Sequence, residues 1–402
     1  MLGLAHRLLH LLTRKDLLSV FIMIFIADVV TGIFSPTFSL YATSLGASLT
    51  LVGLLSSTVG LTRILASVPI GMISDSRGRK GVLITGMAIL AAMAYLCTVV
   101  TNPVLLFPMR MLYGLMITST FFIGMAYVGD LVTKADRGLG SGVYTTCMGL
   151  GFTLGSVLGG KMAASVGYVA TYRFSAGLSL AGVAIAWWGL AAPKVREVTH
   201  VRVFAAGRLG LLLREPQLLA VSLGYTLTIL IFDAAIANFL PLYANSLLIS
   251  QAAIGSIFAF RALASTAARL PTGILTARFP IRRLMTIGLC LGTASVFAIC
   301  FLTEPVPLAI ALAGEGIGFG MYLVSGAAFI NGNFPESDRG TAMGIYSMTG
   351  SIAATVGPFI LGAVADEWGL RTVFWLAGAM ALVGIVVFLA AGSSPPAQRA
   401  HD

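Results

Sequence analysis

The chain has 402 residues, 57% of them hydrophobic and only 10% charged, against roughly 25% charged in an ordinary soluble domain. That leaves too little polar surface to cover a water-soluble fold of this length, which excludes a soluble enzyme. A spanning helix needs about 20 apolar residues, so the composition suits a polytopic helical membrane protein with short loops. The net charge of +10 then reads as membrane topology rather than affinity for nucleic acid, because Lys and Arg gather in cytoplasmic loops.

Arg7, Arg14 and Lys15 precede a first apolar run at 17–42. The run is too long for a signal peptide and contains Asp28, so it is expected to remain as the first helix. Runs of spanning length follow at 50–73, 81–101, 103–128, 139–165 and 170–192. The stretch from Pro193 to Pro216 is polar enough to be a linker and carries Lys194, Arg196, Arg202, Arg208 and Arg214. Further runs occupy 217–244, 252–276, 284–303, 305–331, 341–365 and 370–392. The expected organisation is an N-terminal six-helix bundle (1–192), a linker (193–216), a C-terminal six-helix bundle (217–392) and a tail (393–402).

The loops after helices 2, 4 and 8 carry Arg77, Arg79 and Lys80, then Lys134 and Arg137, then Arg278, Arg282 and Arg283. Those after helices 1, 3 and 7 have no Lys or Arg. Both termini and the linker are therefore expected on the cytoplasmic side of a cell membrane. Cys97, Cys147, Cys290 and Cys300 sit in apolar runs with neither disulfide nor metal spacing, and no cofactor or metal site is expected. There is no P-loop, so work would be drawn from a gradient or from the substrate itself.

The halves repeat. At an offset of 205, Asp28, Phe34 and Pro36 match Asp233, Phe239 and Pro241. At an offset of 202, Leu40, Tyr41 and Ala42 match Leu242, Tyr243 and Ala244, while Asp136, Arg137 and Gly138 match Asp338, Arg339 and Gly340. The same offset relates Gly155, Gly160 and Gly167 to Gly357, Gly362 and Gly369. Parallel repeats of this kind place a substrate site near mid-membrane, between the halves.

Gly71, Asp75, Gly78, Arg79 and Lys80 form the strongest local signal. Gly71 would allow close helix approach, Gly78 a tight turn, and Arg79 and Lys80 would hold that turn in the aqueous interface. Arg110 and Gly114 bracket Tyr113 in helix 4. In helix 5, Gly142, Gly151, Gly155, Ser156, Gly159 and Gly160 are closely spaced small residues. The first segment resembles the signature G-x-x-x-D-x-x-G-R-[KR] of the major facilitator superfamily. The second resembles that family's R-x-x-Q-G element, with Tyr113 where Gln is usual. The third resembles its antiporter motif, with Ser156 where Pro is usual. The resemblance implies an all-α fold of twelve transmembrane helices in two pseudo-symmetric bundles, working by alternating access. It assigns a gating role to Gly71, Asp75, Gly78 and Arg79, and associates Arg110 with proton coupling. In the second half Gly273 is kept but Ala277 replaces the acid, so any such latch is asymmetric.

Asp28, Arg63, Arg110, Asp233, Arg261 and Glu315 fall inside apolar runs, with Asn238 close by. Ionisable groups at such depth normally face a cavity and pair or bind something. Asp28 and Arg110 come out at similar depth and could pair, with Asp28 titrating during transport. Asp28, Arg110, Asp233 and Glu315 are proton-coupling candidates. Asp28, Arg63, Asp233, Asn238, Arg261 and Glu315 are substrate-cavity candidates. A structural ion pair, for example Asp233 with Arg261, is the alternative for each acid. Arg110 could instead snorkel to the nearby interface, as Arg269 and Lys161 are expected to do. Phe121, Phe122, Phe258 and Phe260 could line a cavity or face lipid.

The reading that results is a transporter functioning as a monomer in the bilayer. Its partners would be a small-molecule substrate and protons, with no nucleic acid. The antiporter resemblance implies proton-coupled efflux of a small, partly hydrophobic compound. A proton-coupled importer of a sugar, organic acid or other metabolite is the alternative, and a non-transporting sensor that keeps the fold is a third class.

Overall fold

A computed structural model describes residues 11–133, 136–191 and 210–390. The expected tail, most of the linker, and Arg7, Lys134, Lys194, Arg196, Arg202 and Arg208 lie outside the described residues. The first bundle comprises α1 (Lys15–Ser44), α2 (Leu49–Arg77), α3 (Arg79–Leu96) and α4 (Pro103–Leu131), followed by Arg137–Gly189. That long helix breaks at Gly167 into α5 (137–166) and α6 (168–189). The second bundle comprises α7 (Pro216–Ser246), α8 (Gln251–Leu275), α9 (Ile281–Ile299), α10 (Pro305–Asn333), α11 (Glu336–Trp368) and α12 (Leu370–Ala390). Only helices satisfy every backbone group within one segment in lipid, which is why each apolar run takes this form. All but α8 lie in helices apolar enough to cross a membrane by composition, and α8 is diluted by Arg261 and Arg269.

The helices end where local chemistry stops them. Ser48 accepts a hydrogen bond from the Leu51 amide at 3.1 Å, and Ser250 accepts one from the Ala253 amide at 3.3 Å. Each caps the start of its helix by satisfying an orphan donor. Gly167 and Gly369 have φ of 79° and 86°, a region that side chains avoid, so each reverses the chain without a longer loop. Helix α3 stops at Leu96, five residues before its apolar run ends. The remainder forms a turn in which Thr98 donates through both its amide and its hydroxyl to the Tyr95 carbonyl.

These landmarks align at 202: Ser44 with Ser246, Ser48 with Ser250, and Gly167 with Gly369. Tyr41 and Tyr243 each send a hydroxyl to a carbonyl beside the third helix of their half, Cys97 at 2.6 Å and Leu302 at 3.2 Å. The 205 offset is therefore not the structural register. Asp233 stands opposite Thr31, about one turn from the level of Asp28, and is not its equivalent.

Two stretches depart from α geometry: Ile117–Phe122 in α4 and Leu230–Ile236 in α7 are π-helical. Such bulges often mark functional sites.

The halves meet along α2 with α11 and along α5 with α8. At the end carrying Ser48 the backbones touch. A Cβ on Gly53 would lie 2.2 Å from the Pro358 carbonyl oxygen, and one on Gly255 would lie 2.3 Å from that of Ser156. Small residues make such packing possible in a bilayer, where association depends on close contact. At the end carrying Gly78 the same helices part, and a Cβ on Gly71, Gly142, Gly273 or Gly344 would have nothing within 4 Å. The close approach expected at Gly71 is absent, since the two halves stand apart at that end.

Candidate functional site: a charged aromatic cavity between the halves

A cavity of about 340 Å³ lies between the bundles, beneath the contacts at the Ser48 end. Helix α1 contributes Asp28 and Phe38, α2 contributes Ser56 and Arg63, α4 contributes Arg110 and Tyr113, and α7 contributes Asp233 and Asn238. Both π segments reach it, through Phe121 and Phe122 on one side and Phe232 and Asp233 on the other.

Asp233 and Arg63 form an ion pair across the two halves at 3.8 Å, so the expected alternative partner, Arg261, is not the one used. Arg63 also lies over the Phe122 ring, 5.9 Å from its centroid. Asn238 closes the π segment from below. Its amide donates to the Asp233 carbonyl at 2.6 Å and the Ala234 carbonyl at 3.2 Å, satisfying acceptors in the distorted ladder. Its own oxygen accepts from the Ser56 hydroxyl of the opposite half. Arg110 donates in turn to the Ser56 hydroxyl and to the Leu55 carbonyl, each at 3.3 Å. A polar chain therefore runs from α4 through α2 to α7.

Arg110 does not pair with Asp28. Its guanidinium lies 4.2 Å from the Phe38 ring centroid, ten residues beyond Asp28 on α1. Ten helical residues span about 15 Å, too far for an ion pair. Counted from the Ser48 end, Arg110 is about 10 Å deep and Asp28 about 24 Å. Nor does Arg110 snorkel, since it turns inward to the cavity and to Phe38 and Tyr113. Asp28 has no salt-bridge partner among the described residues. Arg269 on α8 is a residue expected to snorkel. Arg269 instead sits half-buried in the seam between α5 and α8 and donates to the Thr145 carbonyl at 3.3 Å.

Two expected cavity residues lie elsewhere. Arg261 and Glu315 are buried in a bidentate pair between α8 and α10, with Nη2 to Oε1 at 3.1 Å. Phe232 and Phe319 cover the guanidinium at 3.3 Å and 5.0 Å. With both carboxylate oxygens engaged, Glu315 has little left to offer a ligand. Among the phenylalanines, Phe121 and Phe122 line the cavity, Phe258 is core, and Phe260 is exposed on the outside.

In the loop after α2, Gly78 makes the turn with φ of 88°. Arg79 binds Asp130 of α4 at 2.6 Å, and Asp75 only at 3.9 Å. The Asp75 side chain is 66% exposed and Lys80 makes no ion pair with a described residue, so the loop forms no ion pair with the described residues of the other half. In helix 5, a Cβ on Gly151, Gly155 or Gly159 would strike the backbone of α1, whereas Gly142 faces open space. These glycines build the α1–α5 seam behind the cavity. Sequence reasoning missed Asp130 and Asp366. Asp366, near the end of α11, accepts from the Leu49 amide at 3.0 Å and the Thr50 amide at 2.7 Å, capping α2 from the opposite half. Neither acid belongs to a repeat match. Among the described residues no three His, Cys, Asp or Glu gather to hold a metal.

Comparison with known proteins places this architecture. The profile of the Major Facilitator Superfamily matches residues 20–247 and 221–402. An uncharacterized MFS-type transporter of Methanocaldococcus jannaschii is 20% identical over 94% of this chain and 98% of its own. Multidrug resistance protein MdtG of Serratia proteamaculans is 31% identical over 38% of each chain. The crystal structure of nucleoside transporter NupG superposes with a TM-score of 0.75 at 16% identity, over 95% of this chain and 100% of that one. Twelve long helices among the described residues, in paired bundles with a cavity at their junction, and a profile spanning both halves make this chain a multi-pass membrane transporter of the major facilitator superfamily, resembling its drug:proton antiporter branch.

Proposed function

We propose that the chain exports a small, partly hydrophobic compound in exchange for protons by alternating access. The observation that carries this reading is an aromatic cavity holding an acid, Asp28, that forms no salt bridge among the described residues. A carboxyl group in that position can take a proton from one side and release it to the other as the bundles rock. The basic loops put the Gly78 end, and with it the termini, on the cytoplasmic side of a cell membrane. The halves part at that end, which is the side from which an exporter loads. The moving bodies are residues 1–192 and 217–392, joined by the 193–216 linker, and one chain is the working unit. Similarity to multidrug resistance proteins adds support.

The test is uptake of a compound panel into everted vesicles carrying an imposed proton gradient. Gradient-dependent accumulation that is lost in Asp28→Asn is expected. Full proton-driven transport by Asp28→Asn would overturn the proton role, and accumulation only in right-side-out vesicles would reverse the direction. The second reading, import of a metabolite, draws on the permanent charges of Arg63 and Arg110 in the cavity and on the fold shared with a nucleoside transporter.

A further inference from the structure

The cavity holds two cations and two acids, and they are not matched alike. Arg63 and Asp233 neutralise each other across the halves. That leaves Arg110 at the Ser48 end and Asp28 deeper in, about 15 Å apart along α1. The two leftovers differ in chemistry. A carboxyl group can become neutral by binding a proton, whereas a guanidinium cannot lose its proton in a protein. No carboxylate among the described residues pairs with Arg110.

Among the described residues Arg110 is therefore a permanent charge held only by neutral groups: the Leu55 carbonyl, the Ser56 hydroxyl and two ring faces. Those two hydrogen bonds use Nε and Nη2, so that Nη1 and the second Nη2 hydrogen have no acceptor among the described residues. The chain also fixes its direction. Ser56 is held by Asn238, and Phe38 and Tyr113 hold the planar group from the sides. A guanidinium so placed presents a forked donor to a carboxylate, sulfonate or phosphate. Next to it the wall is aromatic, with Phe34 and Phe38 on α1 and Tyr113 on α4, while Phe121 and Phe122 lie about 17 Å farther along α4. A volume of about 340 Å³ lies near the lower bound of small-molecule sites, roughly 300–1,000 Å³.

We infer that the substrate is an organic anion with a compact aromatic or apolar body, its acidic group bound by Arg110 at the closed end of the cavity. This rests on the reading of the cavity as the transport site and adds the charge of what it carries. The anion supplies the counter-charge that Arg110 lacks. Asp28 stays free for a proton at the far end, so substrate and proton occupy separate places instead of competing for one acid.

The experiment is equilibrium dialysis of the full chain in lipid nanodiscs, with 2-naphthoate, 2-naphthamide and 2-(aminomethyl)naphthalene as probes of one shape and different charge. Wild type is expected to bind the carboxylate about tenfold or more tighter than the amide, the scale of a charge-assisted hydrogen bond. Arg110→Gln should bind all three alike. Arg110→Lys should keep part of the preference, since it retains the charge but loses the fork. Melting temperatures of the variants verify folding, and if Arg110→Gln does not fold, Arg110→Lys carries the comparison. No binding of 2-naphthoate, equal binding of acid and amide, preference for the amine, or a preference unchanged in the variants would each overturn the inference. Dialysis applies no gradient, so its failure leaves export untouched. Conversely, an anion that binds but does not move with a proton gradient defeats the export reading and leaves the site standing.

Discussion

Replacing Glu315 by Gln leaves the Arg261 guanidinium buried without its counter-ion. Both side chains are at most 5% exposed, and the pair is covered by Phe232 and Phe319. Removing one partner of a buried pair costs about 3–5 kcal/mol in soluble proteins. Polar contacts inside membranes often measure less, because the unfolded chain also finds partners, so the lower bound of about 3 kcal/mol is the apt figure. At roughly 2–4 °C per kcal/mol for a bundle of this size, Glu315→Gln should melt about 6–12 °C lower in detergent. The decisive companion is Arg261→Met with Glu315→Leu, which removes both charges at similar volume and should recover most of that loss. Substrate binding by the double variant should match wild type, since neither residue lines the cavity. A loss under about 1 kcal/mol in the single variant, or a stable double variant without binding, would refute the assignment of this pair to structure.

Three further outcomes follow from the packing. Gly155→Ala should lower the melting temperature by the equivalent of about 1–3 kcal/mol, because its Cβ would lie 2.0 Å from the Val29 carbonyl oxygen, while Gly142→Ala should leave it unchanged. Leu248 is 93% exposed with φ of 62°, where its counterpart in the repeat is Gly46, so Leu248→Gly should raise thermal stability by up to about 1 kcal/mol. Asp366→Asn should weaken the clasp on α2 by roughly 0.5–1 kcal/mol, speeding maleimide labelling of Ser39→Cys in a cysteine-free background a few-fold. Ser39 lines the cavity and is buried beneath that end, so an unchanged rate would count against the clasp.

Much of the fold was legible because a bilayer demands long apolar helices and punishes anything else. The runs gave twelve spans, and the repeat matched Gly167 with Gly369, whose positive φ then makes them paired breaks. The site was legible only in part. Ionisable residues inside apolar runs singled out Asp28, Arg63, Arg110, Asp233, Arg261 and Glu315, with Asn238 nearby, and all but Arg261 and Glu315 line the cavity. Their partners were not legible, because position along a helix says nothing about which face meets which neighbour. Arg261 and Glu315 are 54 residues apart and meet only once α8 packs on α10. The 205 offset misled because two aspartates of the same type fell in similar contexts, while the helix ends follow 202. The π segments contain Phe122 and Asp233, and no residue pattern announces them.

The Asp366 cap has its acceptor on one body and its donors on the other, at a place open to solvent. When that end opens, water can take over both the amides and the carboxylate, so little is forfeited in letting go. A fastening that solvent can substitute for is quick to release and quick to remake. It lets the sealed face be firm at rest without making each turnover wait on its undoing.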